Sequence, residues 1–203
     1  MENPEAAEDR ALLLRLQHGD LDALGELYDL HRMVVYRTAL VITRNDAAAE
    51  DILQDAFLRL HRYCHRVDPE RPLRPWLYRV TVNLSYTHLR RGMRIINSIE
   101  DWIDRFVSGP AYAPESVASK EESRVVLDKA LANLSTQQRT ALVLFYLNGL
   151  SLEEVSEVME RPVNTVKATL HFARNNLRKK LKGQDLLASF DTDMDFRYEN
   201  SSL

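Results

Sequence analysis

Ser135-Thr136-Gln137-Gln138 begins, and Leu177-Arg178-Lys179-Lys180-Leu181-Lys182 ends, the stretch that decides how this chain folds. Ser135 with Gln138 three residues on has the pattern of a capping box, in which each residue satisfies an orphan donor at a helix start. Leu142, Phe145 and Tyr146 follow at helical spacing, and Asn148-Gly149 supplies a helix end. Ser151 with Glu154 repeats the capping pattern and opens a short helix through Leu152, Val155, Val158 and Met159. Pro162 marks a turn. From there Val163, Val166, Leu170, Ala173, Leu177 and Leu181 keep one apolar face. Asn164, Lys167, His171, Asn175, Arg178, Lys179 and Lys182 occupy the other faces. Two helices joined by a tight turn, the second longer and basic, have the form that sets a helix in a DNA major groove. A solvated face ordinarily mixes charge signs. Residues 161–182 hold seven Lys and Arg and no acid, which favours nucleic acid over a plain helical bundle.

The rest of the chain is helical by the same reading. Its 203 residues hold only six glycines, and strand-like alternation is nearly absent, so the expected class is all-α. Length allows one or two small domains, each with its own core, and two helical ones are expected. No apolar run reaches the ~18 residues of a membrane span. The acidic start Met1-Glu2-Asn3-Pro4-Glu5 lacks the form of a secretory signal. A single cysteine suits a reducing compartment, and the expected location is the cytoplasm.

Net charge is −3, which at first argues against a nucleic-acid binder. The distribution reverses that. Residues 71–94 carry six arginines and no acid, and residues 161–182 form a second basic block. Acid gathers elsewhere, at Glu50, Asp51 and Asp55, at Glu100, Asp101 and Asp104, and in the tail at Asp185, Asp191, Asp193, Asp195 and Glu199. Two separated basic surfaces predict two nucleic-acid contacts.

An N-terminal helical bundle is expected over residues 9–94. Asp20 precedes a long helix with Leu24, Leu27, Tyr28, Val34, Val35 and Ala39 on one side. Asn45-Asp46 starts a second, with Ile52, Leu53, Ala56, Phe57 and Leu60 inward. After the loop Asp68-Pro69-Glu70-Arg71-Pro72, Pro75 suits the first turn of a third, which carries Trp76, Leu77, Val80, Leu84 and Leu89. Residues 95–122 read as a linker. Within it Ser98 caps a short amphipathic helix bearing Ile99, Trp102, Ile103 and Phe106, before Gly109-Pro110 and Pro114 break helix. Residues 123–182 form the C-terminal helix-turn-helix domain, and 183–203 an acidic tail. That tail interleaves Phe190, Phe196 and Tyr198 with its acids. A solvated disordered tail is the simpler reading, and a mask over the basic block the second.

Four motifs in this order resemble one family, the extracytoplasmic function (ECF) sigma factors of bacterial RNA polymerase. Gly19-Asp20-Leu21-Asp22-Ala23-Leu24-Gly25-Glu26-Leu27-Tyr28 looks like the family's opening helix. Ala49-Glu50-Asp51-Ile52-Leu53-Gln54-Asp55-Ala56-Phe57-Leu58-Arg59-Leu60 looks like its polymerase-binding helix. Pro75-Trp76-Leu77-Tyr78-Arg79-Val80, through Asn83 to His88-Leu89-Arg90-Arg91, looks like the segment that melts and reads the −10 element. Leu134-Ser135 through Pro162-Val163-Asn164-Thr165-Val166-Lys167 looks like the −35-reading domain. The resemblance covers about residues 9–182.

It implies a sigma factor, a non-catalytic subunit that directs core polymerase to promoter DNA, needs no cofactor and is often held by an anti-sigma factor. Asp51, Gln54, Asp55 and Leu58, at i, i+3, i+4 and i+7, would face the coiled coil of the polymerase clamp. Trp76, Arg79, Asn83, Tyr86, Arg90 and Arg91 would hold −10 DNA, with Tyr78 in the same aromatic cluster. For Trp76 core packing is the stronger reading than base contact. Asn83 either reads a base edge or caps a buried carbonyl. Asn164, Thr165, Lys167, Ala168, His171, Arg174 and Arg178 would read −35 DNA. Two departures stand out: Thr169 and Phe172 where the family usually has Arg, and Thr87 where Asp is common. Phe172, on a flank of the outward surface, reads equally as a thymine or partner contact and as packing against the preceding helix.

Two other classes compete. A stand-alone helix-turn-helix regulator would not need the acidic face around Asp51 or the arginines of 71–94. A helical metalloenzyme would use His61, Cys64 and His65. No Glu follows His61, no second Cys/His pair has metal spacing, and Cys64 continues the stripe of Phe57 and Leu60, so no metal is expected.

Overall fold

The computed structural model describes residues 4–91 and 129–181. The chain divides between residues 96 and 97 into two units. Every regular element among the described residues is helical, as the sequence predicts. The expected helix around Trp102 and the acidic tail lie outside them.

Four helices build the first unit: α1 (Pro4–Gln17), α2 (Leu21–Thr43), α3 (Asp46–Tyr63) and α4 (Leu73–Arg91). A 3-10 turn, Cys64–Arg66, follows α3. α1 starts ahead of the expected residue 9, at Pro4, a residue type that suits a first helical turn. Asp20 and Asn45 cap α2 and α3, accepting from the backbone N–H of Asp22 and Ala48. The guanidinium of Arg15 hydrogen-bonds Asp20 and holds its carboxyl below the ordinary carboxylate value.

α2 packs on α1, α3 and α4. The inward face of α3, Ile52, Leu53, Ala56, Phe57 and Leu60, is buried as its spacing predicts. The Phe57 ring meets Tyr28 edge-on with centroids 5.0 Å apart. Along α2 the stripe Ala23, Leu27, Val35 and Ala39 is interrupted by His31, also buried. Asp9 from α1 answers it at 2.6 Å, so a buried polar pair joins the two helices. Gln17 adds a second tie, its Nε2 donating to the carbonyls of Cys64 and Val67 at 2.9 Å. On α4 Leu73, Leu77, Tyr78, Val82 and Leu84 are buried, and the hydroxyls of Thr81 and Ser85 close onto carbonyls one turn back.

The second unit holds α5 (Thr136–Leu142), α6 (Leu152–Met159) and α7 (Val163–Leu181). Helical residues 129–132 precede them. Both capping boxes form. Ser135 and Gln138 exchange bonds of 3.1 and 3.2 Å, and Ser151 and Glu154 of 2.7 and 3.1 Å. α5 runs on into a π-helical turn, Val143–Leu147, which ends where Gly149 takes a φ of 75°. Glu160 is left-handed at φ 53°, and Pro162 then starts α7, its carbonyl accepting from Thr165 and Val166. Val166, Leu170, Ala173 and Leu177 bury one stripe of α7, which packs on α5 and α6.

Candidate nucleic-acid interface and acidic face

α3 turns Asp51, Gln54, Asp55 and Leu58 to solvent, opposite its buried stripe. Leu58 is 62% exposed, one turn beyond Asp55. Among the described residues neither Asp51 nor Asp55 forms an ion pair. The face therefore offers two unpaired carboxylates followed by one exposed apolar side chain, a form suited to a basic partner helix.

α4 presents the second face. At about 100° per residue, Trp76, Arg79, Asn83, Tyr86, Arg90 and Arg91 fall within an arc of about 140°. Arg79, Asn83, Arg90 and Arg91 are exposed, and Trp76 and Tyr86 half-buried at the margin of the core. Asn83, being exposed, caps no buried carbonyl with its side chain. Thr87 works inside this face. Its Oγ1 donates to the Asn83 carbonyl at 2.8 Å and accepts from Arg90 Nη2 at 3.3 Å. Tyr78 departs from expectation. It is only 2% exposed and belongs to the core, since it stands one position beyond the buried Leu77 on the inward half of the helix.

α7 presents the third. Asn164, Thr165, Ala168 and His171 are exposed, and Lys167 and Arg178 half-exposed. Nδ2 of Asn175 lies 2.9 Å from Nε2 of His171 and fixes that ring. Arg174, expected among the DNA contacts, is 8% exposed. It stands four residues after Leu170 and three before Leu177, so its stem flanks the buried stripe instead of the open face. Phe172 is not core. It is 61% exposed, with its ring edge-on to His171.

Two side chains of structural weight escaped the sequence reading. Arg139, 8% exposed, donates to the Leu134 carbonyl at 2.6 Å and so ties α5 to the segment before it. His31 is the other. Its signal was there, a titratable residue in register with Leu27 and Val35, which a buried stripe tolerates only with a partner. The metal alternative finds no geometry. His61 and His65 are exposed, Cys64 is buried, and the helix ends at Tyr63. No cluster that could hold a metal ion occurs among the described residues. No helix among them is long and apolar enough to cross a membrane.

Residues 27–95 match the family model for sigma-70 region 2, and residues 124–177 the model for sigma-70 region 4. The chain is 32% identical over 181 residues to the ECF RNA polymerase sigma factor SigW of Bacillus subtilis, covering 83% of this chain and 94% of that one. It is 29% identical over 187 residues to the ECF RNA polymerase sigma-E factor of Escherichia coli, covering 88% and 96%. Two solved structures share the fold. One is CnrH in complex with the cytosolic domain of CnrY (TM-score 0.66, 22% identity, 88% of this chain and 99% of that one). The other is the sigma factor RpoE in complex with the anti-sigma factor NepR from Bartonella quintana (TM-score 0.61, 20% identity, 79% and 97%). The chain belongs to the extracytoplasmic function family of RNA polymerase sigma factors, and it directs promoter-specific transcription initiation.

Proposed function

We propose that the three faces divide the work of a sigma factor. The first unit, about residues 9–94, binds core polymerase and the −10 element. Residues 95–122 link it to the −35-reading unit, 123–182. Asp51, Gln54, Asp55 and Leu58 grip the clamp coiled coil. Trp76, Arg79, Asn83, Tyr86, Arg90 and Arg91 hold the opened −10 strand. Asn164, Thr165, Lys167, Ala168, His171 and Arg178 read the −35 duplex, and Arg174 supports that helix from inside. The protein is a cytoplasmic, non-catalytic subunit, and an anti-sigma factor holds it silent; the structurally similar RpoE forms a complex with the anti-sigma factor NepR.

One observation carries the reading: the exposed acidic face of α3, Asp51, Gln54 and Asp55, with Leu58 exposed at its C-terminal end. A stand-alone helix-turn-helix regulator has no use for it. The test is a titration of core polymerase with the Asp51→Lys/Asp55→Lys double variant. Exposed charges add little to stability, so the variant folds. Core affinity should fall at least tenfold, with the loss shrinking in high salt. Unchanged affinity in the folded variant would remove the clamp assignment.

A further inference from the structure

Phe172 leaves an aromatic ring in water in the third turn of a basic helix. It forgoes the burial that ordinarily fixes a phenylalanine. It does not stand alone. Thr165, Ala168 and Phe172 fall at i, i+3 and i+7, and all three are exposed, so they form one ridge along α7. Beside it runs a second ridge, Asn164, Lys167 and His171, at the same spacing. The first is methyl, methyl and ring; the second is amide, ammonium and imidazole. His171 joins them. Asn175 holds its Nε2 at 2.9 Å, and its ring meets that of Phe172 at 5.9 Å between centroids. Phe172 is thereby steadied next to the polar ridge.

We infer that the Thr165–Ala168–Phe172 ridge reads thymine methyl groups in the duplex, with Phe172 setting the strongest preference; this rests on the −35 role proposed for α7. The C5-methyl of thymine is the apolar group that base edges show in the major groove, and Thr, Ala and Phe side chains are its natural contacts. Thr165 to Phe172 spans about 10.5 Å of helix axis. That matches about three base-pair steps of ~3.4 Å, so a short run of thymines on one strand fits the ridge. A protein partner fits less well. α7 bears no carboxylate, and Lys167, Arg178 and Lys179 flank the ridge, a field that draws phosphate.

Duplexes selected by the full-length chain from a randomised pool supply the probe. Each thymine of the selected site is then replaced by deoxyuridine, which removes only the methyl group. Affinity should fall about threefold to fivefold for each methyl the ridge covers, the value of one buried methyl. Phe172→Ala should abolish the loss at one thymine position, and Phe172→Leu should keep most of it. Equal affinity for thymine and deoxyuridine sites overturns the inference, as does a selected site without thymine. So does Phe172→Ala that keeps the native methyl preference at every thymine position, whether or not it weakens core polymerase binding. If the chain selects no duplex either free or bound to polymerase, the −35 reading of α7 fails and the inference with it. Duplex binding without methyl preference leaves that reading standing and removes only the inference.

Discussion

Lys167 and Arg174 are two cations seven residues apart on one helix, and the structure gives them different work. Lys167 is half-exposed on the open face, whereas Arg174 is 8% exposed beside Leu170 and Leu177. Lys167→Ala should therefore weaken duplex binding and flatten its salt dependence by about one phosphate, with the melting temperature unchanged. Arg174→Ala should lower stability by about 1–3 kcal/mol through lost packing and leave the salt slope nearly intact. Salt-titrated binding beside thermal melts separates the two, and a matching salt-slope loss in both would return Arg174 to the DNA face. Counting charge along a sequence cannot make this distinction. The two residues differ by their angle to the apolar stripe and by the reach of an Arg stem. Tyr78 misled for the same reason: an aromatic beside Trp76 reads as a cluster until the helix is rotated.

At the scale of elements, legibility followed local chemistry. Both capping boxes were readable because their partners lie three residues apart, and both form. The inward faces of α3 and α7 were readable because a period of 3.6 leaves few other solutions. The π-helical turn Val143–Leu147 was not, since one extra residue in a wholly apolar run leaves no mark in the pattern. Nor was the Asp9–His31 pair, whose partners are remote in sequence. The second capping box should be measurable in stability. Ser151→Ala removes the acceptor that opens α6 and should cost about 1 kcal/mol. In a unit this small that lowers the melting temperature by roughly 4–8 °C, while Ser151→Asp restores most of it. Calorimetry reads the shift, and an unchanged transition would mean that packing of Leu152 and Val155 alone sets α6.

Across the whole molecule a net charge of −3 conceals a separation of sign: an acidic face on α3 and basic faces on α4 and α7. That separation was legible from block counts. The allocation of single residues to faces came only with the helices. The proposed division of promoter work gives duplex reading to α7 and strand opening to α4. Permanganate footprinting of single-stranded thymines tests it most directly, with holoenzyme carrying the native chain, Asn83→Ala or Arg79→Ala on a promoter that the native holoenzyme opens. The prediction is that both variants bind the −35 duplex as the native chain does, yet lose most thymine reactivity around the −10 element. Full reactivity with both variants would contradict the account.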